Sequence, residues 1–569
     1  MSGTKVHSNY EDLLTFTRAS KGHALRPVSY GTELVTNGTF NSDTTGWTLT
    51  NTSGTATFTQ ANQEATFTRQ AFGDKVHQEV SCVVGRIYKV SCNLTAVSGG
   101  TARVRFNSTN STTGDNAVAD STSSGEFSLI VVANASTMYF VFDLNANSAS
   151  VTLDNVSVKE VLFDQPDGTL TLFEHPEGVP RVEWDADRNR LGLLVEESRV
   201  NQLTYSEDFS QWVRSRTALT ATTETVSPDG QTNAYKAVPN NSTNAHFFEI
   251  NGSSPYIKTT TSGTNFTYSI YAKAAEYDVL QIASSTGFAA RYQNFDLTNG
   301  VKLSGNADGA TIEYVGNGWY RCSITEDTTG SVARFLSIPA NSDITRNAAF
   351  LGDGTSGIYV WGAQAEENAS FPTSYMKTTG STATRSADVA SIPVADFGFN
   401  ADAGTVFVEA SVLNDQNSND RRILEISDGT TSNFFSFYQD VSAGENISIA
   451  NQSGGSLTAN FDTGFTITES SIFKAVATLK DNDVAASVNG GSITSDTSTT
   501  ISSALSEVNI GYLGGGTQQI NGHIKSIQYY PRRLTNAQLE ALTEPRSTPT
   551  LSLTFDGLES SYTENYIHG

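Results

Sequence analysis

The sequence is poor in the residues that would cross-link a small fold or build a redox site. Its 569 residues include only three cysteines, Cys82, Cys92 and Cys322. Three cysteines give no disulfide framework, and none belongs to a C-x-x-C pair that would bind a metal. In the stretch "VSCVVGRIYKVSCNL", Cys82 and Cys92 alternate with apolar neighbours. We therefore expect both to face a core as small hydrophobic side chains.

Positive charge is also scarce. The chain has 35 Lys and Arg against 59 Asp and Glu, a formal net charge of −24. Nucleic acids and anionic lipid surfaces bind clusters of Lys and Arg, so this balance argues against both as partners. The excess of acid has two interpretations. Solubility is the favoured one, and cation binding at a few carboxylate clusters is the other.

Long apolar runs are missing. No stretch approaches the roughly 18–20 apolar residues that a membrane-spanning helix needs, so we expect no membrane insertion. The N-terminal stretch "MSGTKVHSNYEDLLTF" has no apolar segment of the kind found in a secretory signal. The sequence thus predicts synthesis in a cytoplasm, with any role outside the cell reached by lysis or by assembly into a particle.

The residues that are abundant favour strands and tight turns. There are 30 Phe, 21 Tyr and 46 Gly against three Met, and long helical periodicity is almost absent. A chain of this length predicts three to four domains of about 150 residues, which can bury ample cores without a metal or a disulfide. The predicted fold class is all-β, with tandem jelly-roll β-sandwiches and one short C-terminal helix.

Residues 31–160 form the first predicted sandwich. Alternating apolar residues place Val104 and Phe106 on one face of a strand. Met138, Phe140 and Phe142 share a face of another strand in the same way. Such alternation indicates strands with one side buried and one side in water.

Residues 201–380 form the second predicted sandwich. "FDLTNGVKL" predicts a hairpin with Asn299 and Gly300 at the positive-φ positions of its turn. Both sandwiches open on a Phe-then-Trp stretch and close on a similar strand, so we interpret them as two copies of one fold. The inward positions of two strands are Phe266, Tyr268, Ile270 and Ala272, and then Tyr320, Cys322 and Ile324.

Residues 381–545 form the third predicted sandwich, which ends on the one convincing helix. Thr535 and Gln538 have the spacing of a capping box. Leu534 and Leu539 have the spacing of a hydrophobic staple. The sequence therefore predicts a helix that begins after Thr535.

Two distant stretches resemble a module of tailed-bacteriophage virion proteins. They are "RVEWDADRNRLGLLVEESRVNQLTYSEDFSQW" and "WGAQAEENASFPTSYMKTTGSTATRSADVASI". In tail fibres and related host-recognition proteins, such a run joins a leading element to a jelly roll like those of carbohydrate-binding modules. The first sandwich, with its "NGTF" opening and "LDNVSV" close, resembles the same modules. The third resembles a laminin-G or concanavalin-A-like sandwich, and together the resemblances cover most of residues 31–545.

One departure from the family is informative. There, a leading "FTRAS" sits shortly before the Pro-Arg-Val run, whereas here "TFTRAS" ends at Ser20 and "VPRVEW" begins at Val179. Insertion is tolerated where the ends of a loop lie close together. The first sandwich is therefore predicted to be inserted into one connector, built from residues 161–200 and from an N-terminal anchor segment, residues 1–30.

The connector contains a charged run. Arg199, Glu196 and Glu197 are predicted to fix the angles between domains through salt bridges. The alternative is a solvated charge run, since exposed ion pairs contribute little stability. At the other end of the chain, residues 546–569 are predicted to form a polar arm that adds a strand or reaches a neighbouring subunit.

Catalytic patterns are weak. Glu183, Asp185 and Asp187 have the spacing that places carboxylates on one face of a strand, as a glycosidase needs, but they lie in the connector. Glu425 and Asp428 in the third sandwich point to opposite faces. There is no G-x-S-x-G motif and no phosphate-binding loop. We predict that the protein is not an enzyme.

Glycan binding is the remaining chemistry. Sugar rings stack on exposed aromatic rings while Asn, Asp and Gln bind the hydroxyls. The candidates are Trp47, Trp212, Trp319 and Trp361, and Trp319, at a glycine turn, is expected to be the most exposed. The alternative is that tryptophans at the opening or close of a sandwich belong to its core.

The resemblance to carbohydrate-binding modules also implies a structural Ca²⁺ that bridges the first and last strands of the first sandwich. Glu33 and Asp154 occupy those positions. The alternative is that both are ordinary surface carboxylates.

The function implied by these resemblances is that of a structural protein of a phage virion. It would be a tail fibre or receptor-binding protein that contacts glycans of the host surface. Its partners would be other virion proteins, the host glycan and further copies of itself, a trimer being usual for fibres. Three alternatives are a capsid-decorating head fibre or baseplate component with an assembly role, a secreted bacterial polysaccharide-binding adhesin, and a depolymerase.

Overall fold

The computed structural model describes residues 14–52, 54–113, 116–249, 257–258, 265–284, 289–328, 332–333, 335–400, 402–413 and 419–545. The start of the predicted anchor segment and the whole of the predicted C-terminal arm lie outside these residues. The described chain forms antiparallel sheets and one short helix near its end, so the predicted all-β fold class of tandem sandwiches is confirmed. No helix of the described residues is long and apolar enough to cross a membrane.

The first sandwich packs two antiparallel sheets on one core. A five-stranded sheet has the order β3-β6-β11-β8-β9, and the facing sheet has the order β10-β7-β12-β2-β13, with β5 beside β12 and β4 beside β5. Phe106, Met138, Phe140 and Phe142 are all fully buried between them, which confirms the predicted inward faces. In chain order the strands are β1 (Thr15–Thr17), β2 (Gly22–Tyr30), β3 (Thr48–Thr50), β4 (Thr57–Ala61), β5 (Glu64–Thr68), β6 (Lys75–Ser81), β7 (Ile87–Ser98), β8 (Ala102–Asn107), β9 (Ala117–Ser121), β10 (Gly125–Val132), β11 (Thr137–Leu144), β12 (Ser150–Phe163) and β13 (Thr169–His175).

The second sandwich packs a sheet of order β17-β21-β30-β24-β25-β26 on one of order β18-β19-β32-β23-β28-β27. The predicted inward positions are buried in its core, except Tyr320, which is only partly buried. The strands after β13 are β14 (Val182–Trp184), β15 (Arg190–Val195), β16 (Arg199–Asn201), β17 (Val213–Ser215), β18 (Thr217–Ala221), β19 (Tyr235–Pro239), β20 (Thr243–Asn244), β21 (Phe247–Glu249), β22 (Ile257–Lys258), β23 (Asn265–Ala274), β24 (Val279–Ser284), β25 (Tyr292–Asp296), β26 (Val301–Gly305), β27 (Gly309–Gly316), β28 (Trp319–Asp327), β29 (Val332–Ala333), β30 (Phe335–Ala340), β31 (Phe350–Leu351) and β32 (Ile358–Glu367).

The hairpin between β25 and β26 differs from the prediction. Asp296 pairs with Val301, so the loop has four residues instead of two. Gly300 has a φ of +67°, whereas Asn299 has no positive φ. The Asp296 carboxylate accepts hydrogen bonds from the N–H groups of Thr298 and Asn299, each at 2.9 Å. A loop capped by this aspartate therefore replaces the predicted tight turn.

The third sandwich packs a sheet of order β1-β34-β43-β36-β37-β38-β39 on one of order β14-β15-β44-β35-β40-β41-β42. Its strands are β33 (Ala383–Arg385), β34 (Val389–Pro393), β35 (Gly404–Val412), β36 (Arg421–Ser427), β37 (Phe434–Asp440), β38 (Asn446–Ser453), β39 (Ser456–Thr466), β40 (Phe473–Leu479), β41 (Val484–Val488), β42 (Thr494–Asp496), β43 (Glu507–Ile510) and β44 (Gly522–Tyr530). The predicted capping box of Thr535 and Gln538 is confirmed at the start of helix α1 (Asn536–Thr543). Leu534 and Leu539 pack in one cluster against the sheet.

Segments on both sides of the first sandwich belong to the third one. Phe16 in β1 pairs with Ala390 in β34, and Leu193 in β15 pairs with Ile524 in β44. The sequence analysis had placed these segments in a separate connector. Because their apolar side chains cover an otherwise open edge of the third core, they fold as part of that sandwich.

Candidate functional site

Three charged residues of the connector and two from the segment after the second sandwich form a buried ion cluster, which we call the ion hub. Its members are Arg18, Arg181, Glu196, Arg385 and Asp388, and every side chain is at most 1 % exposed. Arg181 bridges the two acids, with Nη1 at 2.9 Å from Glu196 Oε2 and Nη2 on Asp388 Oδ2. Arg18 Nη1 reaches Asp388 Oδ1 at 3.2 Å.

The ion hub joins segments that are far apart in sequence. One member precedes the first sandwich, two follow it, and two lie between the second and third. Glu196 also accepts hydrogen bonds from the N–H and the hydroxyl of Ser374, at 2.9 and 2.7 Å. Burial alone would raise the pKa of Glu196, but Arg385, Arg181 and Ser374 outweigh it and hold that pKa well below its usual range. The ion hub is therefore a structural joint among the sandwiches.

The salt bridges predicted for the charged run are confirmed. Glu197 pairs with Arg199 and, at 3.0 Å, with Arg421 of the third sandwich. Glu196 belongs to the ion hub and is 1 % exposed, so the alternative of a solvated charge run is wrong for this residue.

Three of the five carboxylates considered for catalysis, Glu183, Asp185 and Glu425, have structural partners. Glu183 Oε2 lies 2.7 Å from His523 Nε2. Asp185 accepts hydrogen bonds from the backbone and side-chain nitrogens of Asn189, at 2.7 and 2.9 Å. Glu425 is fully buried and accepts a hydrogen bond from the N–H of Gly514 at 2.8 Å. Each of these groups therefore holds a turn or a contact between strands.

The four tryptophans predicted to bind sugars are buried. Trp47 is 9 % exposed and Trp212 3 %, while Trp319 and Trp361 are fully buried. The indole N–H of Trp319 donates to the Val226 carbonyl at 2.8 Å. The prediction that Trp319 is the most exposed is wrong. The alternative of a position in the sandwich core is confirmed for Trp47 and Trp212. A ring with no open face cannot stack on a sugar.

Trp319 and Trp361 are covered by the connector. They lie on the side of their sheet that faces away from the core of the second sandwich, where an isolated sandwich would leave them open. Leu25 of β2 and Leu170 and Leu172 of β13 pack over them in a separate apolar cluster. The glycine turn led to the prediction that Trp319 is exposed, but a distant segment of the chain covers it.

Of the two carboxylates considered for calcium, Glu33 is engaged within the protein, whereas Asp154 Oδ1 is buried without a hydrogen-bond partner among the described residues. Glu33 Oε1 accepts hydrogen bonds from the N–H groups of Leu34, Val35 and Val158, and Oε2 accepts one from Ser157 Oγ at 2.6 Å. Its lone pairs are therefore engaged by the protein itself. Among the described residues, no group of three or more His, Cys, Asp and Glu is placed to hold a metal ion.

The best candidate site was missed by the sequence analysis. On β6, β8 and β11, the residues that alternate with the buried core positions point out of the five-stranded sheet of the first sandwich. We call this surface the cationic face. Its residues are Lys75, His77, Glu79, Arg103, Arg105, Asn107, Tyr139, Val141 and Asp143.

Strand pairing arranges the cationic face in rows. Side chains directly opposite each other on antiparallel strands have Cβ atoms about 4.5–5.5 Å apart, so neighbouring members form one continuous surface. The cross-strand partners are Asp143 with Arg103, Val141 with both His77 and Arg105, and Tyr139 with both Glu79 and Asn107.

Asp143 and the three cations near it, Arg69, Lys75 and Arg103, form what we call the first row. Asp143 is 3 % exposed; its Oδ2 contacts Arg103 and its Oδ1 lies 3.4 Å from Arg69 Nη1. Lys75 stands on the opposite side, on β6; burial lowers its pKa, while attraction to Asp143 opposes this. The row carries a local surplus of positive charge in a molecule whose net charge is −24.

The rest of the cationic face is closer to neutral. Arg105 Nη2 donates to both oxygens of Asp120, at 2.9 and 3.0 Å. The half-buried Tyr139 ring lies 6.2 Å from the His77 ring. Burial and the nearby Lys75 lower the pKa of His77, so this imidazole is neutral at pH 7.

Polar atoms without partners collect on this surface. His77 Nδ1, Arg103 Nε and Arg105 Nε are buried and have no hydrogen-bond partner within the protein. Asn110 Oδ1, in the loop that folds over the edge of the face, is a further such atom. Unpaired buried polar atoms cost free energy unless water or a ligand satisfies them. These four atoms are themselves covered, so a ligand at this surface contacts the exposed parts of the same side chains, such as Arg103, whose side chain is 24 % exposed.

A signal for this face is present in the sequence. Between the core positions of β8 and β11 stand two arginines, a tyrosine and an aspartate. On the facing sheet, the corresponding outward positions include Ser91, Asn93, Thr95 and Thr152. Attention to the charge of the outward residues, in addition to the inward apolar ones, would have found the site.

Comparisons with known proteins add little to this description. No protein-family model and no curated protein matches the chain. The chain is similar to a solved tandem CBM22 domain of Xyn10C from Paenibacillus barcinonensis, with 12 % identity over 60 % of this chain and 98 % of that one, at a TM-score of 0.20. It is also similar to the Trypanosoma rangeli sialidase, with 10 % identity over 92 % of this chain and 93 % of that one, at a TM-score of 0.22. TM-scores this low carry no argument about ligand or activity.

Proposed function

We propose that this protein is a non-enzymatic glycan-binding protein and that the cationic face of its first sandwich is the binding surface. The observation that carries the proposal is the composition of that face. The half-buried Tyr139 ring lies 6.2 Å from the His77 ring and beside Glu79 and Asn107, and Arg105 and Arg103 follow along the same face. An aromatic ring receives the apolar side of a sugar, and arginine and asparagine donors bind its hydroxyls.

We further propose that the protein is a structural component of a tailed-phage virion, as a tail fibre or receptor-binding protein. The two stretches that resemble virion proteins supply Arg181, Glu196, Arg385 and Asp388 of the ion hub. A buried ionic joint fixes the angles between sandwiches, which suits a protein that must present a binding face in a set direction. Other virion proteins and further copies of this chain stay its predicted partners.

A glycan array with the full chain tests the binding proposal. Tyr139→Ala should weaken every hit by about 10-fold, since an aromatic contact of this kind is worth about 0.5–1.5 kcal/mol beyond its buried area. Tyr314→Ala is the matched control, because Tyr314 is a 43 % exposed tyrosine on the second sandwich. Binding that is unaffected by Tyr139→Ala, or no binding to any glycan, would contradict the proposal.

Two further measurements test the other parts of the proposal. Mass spectrometry and gold labelling of purified phage particles should detect the chain in the virion. Incubation with host capsular polysaccharide should release no reducing ends. Release of reducing ends would favour a depolymerase instead.

A further inference from the structure

We propose that the ligand of the cationic face is an acidic saccharide, whose carboxylate binds between Lys75 and Arg103. This inference rests on the proposed glycan-binding function and specifies its substrate class. Three observations carry it: the charge of the first row, the free capacity of its donors, and the distance from this row to Tyr139.

The first row has more positive than negative charge, which favours binding of an anion. Arg69 and Arg103 contact the buried carboxylate of Asp143, which also attracts Lys75, while Asp120, opposite Arg103 on β9, is bound by Arg105. Arg69 is 4 % exposed, so most of this charge is already removed from water. Buried charges are stabilised by partners of opposite sign. A second carboxylate, supplied by a ligand, would place two anions among three cations.

Arg103 and Lys75 in this row can donate further hydrogen bonds. Arg103 contacts Asp143 through Nη2, and its side chain is 24 % exposed, so the guanidinium reaches the surface. A guanidinium has five donors in a planar fork that matches a carboxylate. Lys75 Nζ donates to the Asn110 carbonyl, and an ammonium group has three donors. Both side chains can therefore bind a ligand without leaving their present partners.

The length of the face distinguishes a saccharide from a small anion. Asp143 and Tyr139 are four residues apart on β11, which corresponds to about 13 Å at about 3.3 Å per residue. A free phosphate or acetate ion would occupy only the Lys75 end. An oligosaccharide can place a carboxylate there and a sugar ring on Tyr139 at the same time.

Matched pairs of ligands test this inference by calorimetry with the full chain. The probes are tetragalacturonate with its methyl ester, and sialyllactose with lactose, with inorganic phosphate as the small-anion arm. At least one acidic probe should bind 10-fold or more tightly than its uncharged counterpart, and added salt should weaken that binding because charge contacts are screened. Phosphate should compete only weakly.

Substitutions test whether the preference for acidic ligands depends on the cationic face. Arg103→Gln should abolish the difference between the acidic and uncharged probes, and Lys75→Gln should reduce it. Lys75→Gln is the second test because Arg103 also supports Asp143, and thermal melting would show whether Arg103→Gln folds. Arg86→Gln is the control, since Arg86 is an exposed arginine elsewhere on the same sandwich, paired with Glu160. This control should leave the preference unchanged.

The outcomes separate the two proposals. If uncharged probes or neutral array glycans bind as tightly as acidic ones and depend on Tyr139, the glycan-binding function stands and the acidic preference is overturned. If phosphate binds as tightly as the acidic oligosaccharides, a simple anion site replaces the saccharide site. If no probe and no array glycan binds, both proposals fail.

Discussion

The first and second sandwiches have similar architectures but differ in what covers their outer faces. The five-stranded sheet of the first sandwich presents Lys75, Arg103 and Tyr139 outward. In the second sandwich, the connector covers the sheet that carries Trp319 and Trp361. One outer face of the first sandwich is thus open, whereas the tryptophan-bearing face of the second is closed.

The second face of the second sandwich is also covered. Gln281 and Asn294 are fully buried on its outer side, beneath the loop that follows β30. Asn294 Nδ2 donates to Asp343 Oδ1 and to the Ile344 carbonyl, both at 2.6 Å. Amides that would suit sugar hydroxyls therefore bind the chain itself. The difference teaches that the availability of a sandwich face is decided by the segments around it.

The largest expected effect comes from disrupting the ion hub, which joins the connector to the sandwiches. Asp388→Asn removes one of two acids that neutralise three buried arginines, so it should lower the free energy of unfolding by about 3–5 kcal/mol. Urea denaturation measures this loss. Arg86→Gln, which removes an exposed ion pair, should change stability by less than about 1 kcal/mol. A loss below about 1 kcal/mol for Asp388→Asn would show that the ion hub is not a joint.

The next effect opens the closed face directly. Leu172, 6 % exposed, packs in the cluster over Trp319 and Trp361, so Leu172→Ala should cost about 3 kcal/mol and increase quenching of tryptophan fluorescence by acrylamide. Leu424→Ala, in the third core, should be comparably destabilising without added quenching of the native protein. Equal quenching in both variants would contradict the conclusion that Leu172 covers Trp319 and Trp361.

The smallest effect compares a buried acid of each sandwich. Burial, with Asp308 nearby, raises the pKa of Glu326 in the second sandwich to about 7, from 4.5. The fold therefore disfavours its carboxylate, and stability is lost as pH rises from 4.5 to about 7. Glu326→Gln removes this penalty and should stabilise the protein by at most about 3 kcal/mol at pH 8, and by less than about 1 kcal/mol at pH 5.

Asp143 of the first sandwich provides the matched control for Glu326. Both residues are 3 % exposed, but Asp143 contacts two arginines. Asp143→Asn should therefore destabilise the protein at pH 8, in contrast to Glu326→Gln. Melting curves at the two pH values measure both variants. The same sign of change for both would contradict the difference in their surroundings.

Local patterns predicted the strands well and the exposure of their faces poorly. Alternation correctly placed Phe140 and Phe142 inward, and the spacing of Thr535 and Gln538 correctly predicted the helix start. These features depend on neighbours within a few residues. The burial of Trp319 depends on Leu172, which is far away along the chain, and no local pattern encodes that contact.

The same limit explains the segments beside the first sandwich and the missed face. Leu193 forms part of the third sandwich through Ile524, a pairing that only the complete fold reveals. The outward charges of Arg103 and Asp143 were visible in the sequence. Their arrangement depends on three neighbouring strands, which place Asp143 between Arg103 and Lys75.

Tyr30 and Val161, the residues where the chain departs for the first sandwich and returns from it, are direct partners in one hydrogen-bonded ladder. The two attachment points therefore lie about 5 Å apart, the spacing of adjacent strands. Any compact unit whose termini are neighbours could be exchanged at this position while the framework that carries it stays unchanged. The first sandwich is therefore joined to the rest of the chain as a separable unit.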